Sequence, residues 1–301
     1  MRVFVTGASG HIGSALLPEL ITAGHEVIGL ARSDDSAAAV AARGATVHRG
    51  DLEDLDGLRK AAEDSDGVIH LAFDHQQMIT GNYVAAIAKN LAVVHALGDA
   101  LKGTGKPFVI ASGTGASSEV EPGQPFTEDD VAGDDGSRMD AENVAIGYAE
   151  QGVRSSSVRI APITHSVLDR HGFARILISI AREKGVAGYA GDGANRWSAV
   201  NTYDVAHLFR LALEKAPAGT RWHGVGDEGI PLRDIAQSIS DHLGVPTASI
   251  PADELQAHFG FLAVLIARDL PTSNLKTRRE LGWEPIRPGL LAEFDDGDYF
   301  A

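Results

Sequence analysis

Residues 2–27 are RVFVTGASGHIGSALLPELITAGHEV, a strand-like apolar run, three spaced glycines, a helix-like stretch and a second apolar run. Gly7 permits a sharp turn from strand to helix, Gly10 lets a backbone approach a diphosphate, and Gly13 lets the helix pack closely on the strand. The helix N-terminus then offers free N–H groups to phosphate oxygens. This stretch predicts a dinucleotide-binding βαβ unit. A P-loop is excluded because the Gly-Lys-Ser/Thr ending is missing from this sequence.

The first two thirds of the chain alternate short β-branched runs with longer stretches of helical apolar spacing, as in 12–23 and 83–102. Alternation of this kind is typical of parallel strands joined by helical crossovers. We therefore predict an α/β fold, a Rossmann-type doubly wound parallel sheet with a smaller C-terminal substrate-binding region. The predicted strands are 2–6, 26–31, 46–49, 67–72, 108–112 and 154–160.

The alternation weakens after about Pro162. We predict a dinucleotide-binding domain over 1–162 and a mainly substrate-binding region over 163–301, part of which returns to the sheet. Helices are expected at 232–243 and 253–268. Residues 113–136, rich in Gly, Ser, Asp, Glu and Pro, follow a strand end and predict a long mobile loop. A lid or substrate wall is favoured there over a disordered excursion.

Composition limits the partners of the chain. Its 301 residues carry a formal net charge of −15, which repels nucleic acid at long range. The sequence has no cysteine and no His, Asp or Glu spacing typical of a metal site. Met1 directly precedes the first strand, and the late apolar stretch 259–267 is shorter than the roughly 20 residues that span a bilayer. We expect a cytoplasmic protein with a small-molecule substrate, no metal and no membrane partner.

The end of the second predicted strand determines which dinucleotide would be preferred. An acidic residue there would bind a ribose 2′-hydroxyl, whereas this chain carries Arg32 and Ser33, which suit a 2′-phosphate. Asp34 and Asp35 follow and would favour the opposite choice. The sequence predicts NADP (NADPH) as cofactor, with NAD as the alternative.

The TGASGHIG spacing of residues 6–13 resembles the extended short-chain dehydrogenase/reductase superfamily, which includes nucleotide-sugar epimerases and hydroxysteroid dehydrogenases. Other landmarks follow in the family's order, from 50–52 and 70–72 to 159–162, 200–206 and 281–285. The resemblance implies contacts with adenine, ribose, diphosphate and nicotinamide. The implied cofactor residues are Gly7, Ser9, Gly10, His11, Ile12, Gly13, Arg32, Ser33, Asp51, Leu52, Leu71, Ala72, Phe73, Asn90, Ala111 and Pro162.

The chain departs from this family at its catalytic pair. Members carry Tyr-x-x-x-Lys before the sixth strand, and no Tyr-x-x-x-Lys exists in this sequence. Depending on register, Gly136 and Asp140, or Arg138 and Glu142, occupy the two places, and Tyr148 lacks a lysine partner. A positioned general acid contributes roughly 10²- to 10⁴-fold to a rate. The sequence therefore indicates an atypical member in which ordinary alcohol dehydrogenation is in doubt.

Four residues are candidates to replace the missing acid. Ser112 and Thr114 end the fifth predicted strand, where hydroxyls could polarise an acceptor or simply bond to a turn. His165 could donate a proton near neutral pH or cap a loop. Tyr203 could reach the site or serve as a core tyrosine. The weaker histidine candidates are His70, His75 and His171.

Three functions remain open from the sequence. The first is an NADPH-dependent oxidoreductase that reduces a carbonyl, imine or activated alkene of a small, rather apolar substrate. The second is an NADP-binding sensor or scaffold without turnover. The third is a nucleotide-sugar epimerase/dehydratase, whose diphosphate would need cations such as Arg175, Arg182, Lys184 and Arg196. The resemblance also allows a homodimer through 83–102.

Overall fold

A central parallel sheet organises the protein. The structure, a computed structural model, describes residues 1–74, 82–114, 120–121, 123–131 and 139–301. Seven parallel strands lie in the order β10-β6-β5-β4-β1-β2-β3. The predicted doubly wound fold is confirmed. The strands of this sheet are β1 Arg2–Thr6, β2 Glu26–Ala31, β3 Thr46–Arg49, β4 Gly67–His70, β5 Pro107–Gly113, β6 Arg154–Ile160 and β10 Thr220–Gly224.

Helices cover both faces of this sheet. Side chains of β1 point alternately to the two faces of the sheet. Val3 and Val5 pack in the hydrophobic cluster on one face, and Phe4 packs in the cluster on the other. The first face is covered by α1 His11–Thr22, α2 Asp34–Ala41 and α7 Thr202–Lys215, and the second by α3 Leu55–Glu63, α4 Tyr83–Leu101 and α5 Met139–Gly147. A 3₁₀ turn, Tyr148–Gln151, follows α5.

The helix α4 is long and apolar enough to cross a membrane by length and composition. About half of it is buried inside the protein, where Val93, Val94 and Leu97 pack in the cluster beneath the sheet. This helix therefore packs as a core helix of the α/β layer.

The C-terminal region has its own core. Two small sheets, β11-β9-β7 and β12-β8, pack with helices around the wholly buried Trp197. The elements of this region are β7 Ile163–His165, α6 Phe173–Lys184, β8 Ala187–Ala190, β9 Arg196–Asn201, β11 Asp227–Pro231, α8 Leu232–Leu243, β12 Thr247–Ile250, α9 Leu255–Phe259, α10 Ala263–Ile266, α11 Leu275–Leu281 and α12 Leu290–Asp296. Within the same stretch of chain, α7 and β10 return to the large sheet.

Two local expectations were wrong. The predicted helix over 253–268 is broken, because Gly260 adopts a φ of +57° and a 3₁₀ turn, Gly260–Leu262, separates α9 from α10. The seventh strand β10 was missed, because its sequence TRWHG is short and mostly polar and it pairs only with β6 at the sheet edge.

Part of the predicted mobile loop is anchored. The Phe126 N–H donates to the Pro271 carbonyl at 2.8 Å, and the Ser273 N–H donates to the Phe126 carbonyl at 2.8 Å. The buried Glu128 carboxylate accepts from the N–H and hydroxyl of Thr277 at 2.8 and 2.7 Å. Residues 126–128 are therefore fixed by the C-terminal region, contrary to the expectation for this part of the loop. Residues 115–119, 122 and 132–136 lie outside the described residues.

Candidate functional site

The glycine turn after β1 leaves no room for a side chain at Gly7 or Gly13. Gly7 adopts a φ of +68°, and a Cβ added to it would lie 2.8 Å from the Ala72 nitrogen. A Cβ on Gly13 would lie 2.2 Å from the Gly7 carbonyl oxygen. Gly10 is the N-cap of α1, and no side chain among the described residues caps it. The turn therefore presents backbone N–H groups at a helix N-terminus, which is a site for an anion.

A buried polar chain connects this turn to β4 and α4. The Thr6 hydroxyl lies 2.6 Å from His70 Nδ1 and accepts from the Ala72 N–H at 3.3 Å. His70 Nε2 lies 3.0 Å from Asn90 Oδ1, and because an amide oxygen only accepts, the imidazole proton is assigned to Nε2. His70 and Asn90 thus hold the segment that carries Leu71 and Ala72 against the glycine turn.

Three more of the predicted cofactor residues follow β3 and β4. Asp51 Oδ1 accepts from the N–H groups of Glu53 and Asp54 at 2.7 and 3.2 Å and so fixes the turn into α3. Leu52 packs against the cluster beneath the sheet, and Phe73 is partly buried after β4. The Asp51 carboxylate therefore stabilises the turn that contains Leu52 and leads into α3.

The helix α2 begins directly after β2. The Ser33 hydroxyl accepts from the Ser36 N–H at 3.2 Å as the N-cap of α2, so it is already engaged. Arg32 is exposed and makes no hydrogen bond or ion pair with the described residues. Asp34, the acid that could oppose a 2′-phosphate, forms an ion pair with Arg49 at the end of β3. Arg32, the guanidinium that the sequence predicted for a 2′-phosphate, therefore has no partner among the residues that the structure describes.

The ends of β5 and β6 bring Ser112, Thr114 and Ala111 to one edge of the sheet. Ser112 is buried, and its hydroxyl lies 3.5 Å from the sulfur of Met139, a weak acceptor. The Thr114 N–H donates to the Ile160 carbonyl at 3.1 Å, which fixes its backbone. The buried Thr114 hydroxyl has no hydrogen-bond partner in the described part of the chain. An unpaired buried hydroxyl is costly, so Thr114 is the better placed of the two to meet a ligand.

Glu142 is held in a buried ion pair. It is fully buried and accepts from Arg159 Nε at 2.9 Å and Nη2 at 2.8 Å and from the Ser157 hydroxyl. Arg159 Nη1 also donates to the Asp130 carbonyl at 2.7 Å, which joins the loop to the same cluster. Sequence reasoning missed this pair, although both residues were noted separately. Glu142 therefore has a structural role and does not replace the missing acid.

The other positions of the predicted catalytic pair can be placed only in part. Asp140 lies in the first turn of α5, where its Oδ1 is buried and without a hydrogen-bond partner among the residues described. Gly136 and Arg138, as well as His75, lie outside the described residues.

His165 lies at the end of β7, close to the start of α1. It is completely buried, and neither ring nitrogen has a hydrogen-bond partner within the described ranges. Thr202 connects the two elements, since its hydroxyl donates to the His165 carbonyl at 3.0 Å and lies 2.7 Å from His11 Nε2. Burial, together with the charge of the neighbouring His11, lowers the pKa of His165 to about 4. At neutral pH His165 is uncharged, so it can offer a hydrogen bond but is a poor source of a proton.

We expect His165 to make the protein less stable in acid. The unfolded side chain binds a proton below its ordinary pKa of 6.5, whereas the folded one resists protonation down to about 4. Between these values the unfolded state holds more protons, so the free energy of unfolding falls as pH falls. The loss is about 3 kcal/mol across this window. Urea unfolding at several pH values should show a flatter profile for His165→Asn. Parallel profiles would contradict the assignment.

Two further candidates are exposed at the surface of the protein. Tyr203 is 38% exposed, and the Arg287 guanidinium lies over its ring at 5.3 Å from the centroid. His171 is exposed, and its N–H donates to the buried Asp169 carboxylate at 3.2 Å.

The sequence is similar to those of known proteins along most of its length. The sequence profile of the NAD dependent epimerase/dehydratase family matches residues 3–223. An uncharacterized protein of Saccharomyces cerevisiae is 45% identical over 297 residues, with 97% of both chains covered. An uncharacterized protein of Schizosaccharomyces pombe is 42% identical over 301 residues, with 100% of both chains covered.

More distant matches are similar along almost the whole chain. A 4-hydroxy-2-methyl-3-oxo-4-farnesyl-3,4-dihydroquinoline-1-oxide ketoreductase of Stigmatella aurantiaca is 26% identical, with 94% of this chain and 92% of the relative covered. The crystal structure of UDP-glucuronic acid 4-epimerase from Bacillus cereus superposes on this structure with a TM-score of 0.77 at 18% sequence identity. The matched part covers 99% of this chain and 98% of the Bacillus cereus chain. The chain belongs to the NAD dependent epimerase/dehydratase family.

Proposed function

We propose that the protein is an NADPH-dependent oxidoreductase that reduces a carbonyl, imine or activated alkene of a small, rather apolar substrate. The observation that carries the proposal is the uncapped N-terminus of α1 behind a turn in which Gly7 and Gly13 admit no Cβ. Such a turn suits a dinucleotide diphosphate. The family's name and the NAD bound in the Bacillus cereus structure also support a nicotinamide dinucleotide.

The bound cofactor would supply a hydride to the acceptor carbon. The chain's own residues would orient the acceptor and stabilise the charge that develops on its heteroatom. Thr114 and Ser112 at the end of β5 would donate hydrogen bonds to that heteroatom. Solvent would supply the proton that the heteroatom takes up after hydride transfer.

The preference for NADPH over NADH is supported by two features at the end of β2. Arg32 is exposed and unpaired with respect to the described residues, so its guanidinium is available to a 2′-phosphate. Asp34 pairs with Arg49, so its carboxylate is not free to accept a hydrogen bond from the ribose 2′-hydroxyl of NADH. Both features favour the phosphorylated cofactor.

Contacts in the C-terminal region argue against a nucleotide sugar as the substrate. The cations named for a diphosphate have protein partners. Arg175 and Arg182 donate to backbone carbonyls of the C-terminal tail, and Arg196 pairs with Asp269. The Stigmatella aurantiaca relative is named as a ketoreductase, which supports the same choice. The homodimer through α4 stays a prediction.

The proposal is tested with NADPH and a panel of aldehydes, ketones, imines and enones, by following the nicotinamide absorbance. We expect at least one class to oxidise NADPH faster than NADH. Thr114→Val, which keeps the shape and removes the hydroxyl, should then lower kcat by about 10- to 100-fold, because an unpaired donor to the acceptor is lost. Its affinity for NADPH should stay unchanged.

Thr46→Val is the matched control, since Thr46 lies exposed on β3 away from this edge. The reductase proposal fails if tight NADPH binding is found with no turnover of any acceptor class. That outcome would favour the sensor or scaffold function. Turnover of nucleotide sugars alone would favour the epimerase.

A further inference from the structure

Two arginines leave neighbouring strand ends next to the start of α2. Arg49 is paired with Ala31 in the register of β3 and β2, and Arg32 follows Ala31 directly. The Gly50 N–H donates to the Ala31 carbonyl at 3.3 Å, so the two strands stay together to this point. Arg32 and Arg49 therefore emerge side by side at the corner where the proposed function places the 2′-phosphate.

The present partner of Arg49 can be displaced. Arg49 forms its ion pair with Asp34, and the two side chains are 52% and 96% exposed. Ion pairs at such exposure contribute little to stability, because water screens them and two side chains must be ordered. A phosphate monoester carries more charge than a carboxylate and more acceptor oxygens. It would therefore compete well for the planar guanidinium.

We propose that Arg49 is a second specificity residue of the 2′-phosphate subsite, which exchanges the Asp34 carboxylate for the phosphate when NADP binds. This inference rests on the proposed NADP preference. The carboxylate of Asp34 then acts as a competitor that weakens NADP binding in the wild-type protein. Arg49 needs no large movement of the backbone, because its strand is already held beside β2 by the ladder to Ala31.

Calorimetric titration with NADP⁺ and NAD⁺, and with adenosine 2′,5′-bisphosphate and 5′-AMP, tests the inference without turnover. Arg49→Ala should weaken binding of NADP⁺ and of the bisphosphate by about 10- to 100-fold, the range of a charge-assisted contact. Binding of NAD⁺ and 5′-AMP should change less than about twofold. Arg49→Lys should be intermediate, because lysine keeps the charge and loses the planar fork.

Asp34→Asn should change the affinity for NADP⁺ in the opposite direction. Removing the competing carboxylate should strengthen NADP⁺ binding severalfold and leave NAD⁺ binding unchanged. Arg59→Ala is the matched control, since Arg59 pairs with Asp56 on α3 in the same exposed manner. It should change neither affinity.

The outcomes separate this inference from the proposed function. If the wild-type protein binds NAD⁺ as tightly as NADP⁺, the NADP preference itself is wrong and the role of Arg49 falls with it. If NADP⁺ is preferred and Arg32→Ala removes the preference while Arg49→Ala does not, only the role of Arg49 is wrong. An equal loss of NADP⁺ and NAD⁺ in Arg49→Ala would also overturn it, because that result indicates a structural effect.

Discussion

Gly13→Ala is expected to weaken dinucleotide binding by at least about 100-fold. The new Cβ would lie 2.2 Å from the Gly7 carbonyl oxygen and 2.7 Å from the Ala8 carbonyl oxygen. These are backbone atoms, so the turn itself must move, and the N–H groups at the start of α1 move with it. Loss of two or more charge-assisted contacts to a diphosphate accounts for the expected factor. Calorimetry with NADP⁺ and NAD⁺ measures the change.

The matched control is Gly147→Ala at the end of α5. A Cβ there meets no atom within 4 Å, and the backbone φ of −61° suits any residue. We expect normal binding and unchanged or slightly higher stability in this variant. The expected role of the turn is contradicted if Gly13→Ala remains folded and binds either dinucleotide with wild-type affinity.

Glu142→Ala is expected to lower the free energy of unfolding by about 3–5 kcal/mol. Glu142 is completely buried, and its removal leaves the Arg159 guanidinium, itself 5% exposed, without its carboxylate partner. The cost is the desolvation of an uncompensated charge. Loss of a second cationic partner adds to this cost, since Arg221 Nε lies 3.5 Å from the same carboxylate. Urea unfolding followed by circular dichroism gives the difference.

Glu150→Ala serves as the control, because Glu150 is exposed in the 3₁₀ turn after α5. Its unfolding free energy should stay within about 0.5 kcal/mol of the wild-type value. If Glu142→Ala unfolds at the wild-type urea concentration, the ion pair does not stabilise the fold as described. A catalytic role for Glu142 would then have to be reconsidered.

The sequence predicted the fold well where local and global signals agree. The β1–α1–β2 unit was evident because Gly7, Gly10 and Gly13 stand at fixed spacing between an apolar strand and an amphipathic helix. The strand β10 was missed because its sequence is short and mostly polar and its pairing with β6 spans about sixty residues of sequence. The break at Gly260 was missed because the apolar pattern of 253–268 continues through it.

The site was harder to predict, because its contacts join distant parts of the chain. Sequence order gave Glu142 and Arg159 separately, but only the fold brings them within 2.8 Å. His165 was named as a proton donor from its residue type, whereas complete burial keeps it neutral. The partner of Asp34 depends on the register of β2 and β3, which decides whether an arginine on one strand can reach a helix start on another.

The central claim is that the turn over 7–13 binds a nicotinamide dinucleotide. It is tested most directly by titrating folded wild-type protein with NADP⁺, NADPH, NAD⁺ and NADH in a calorimeter. We predict saturable heat with one dinucleotide per chain and tighter binding of the phosphorylated pair. Absence of binding heat with all four, in protein shown to be folded by circular dichroism and at two temperatures, would contradict the claim.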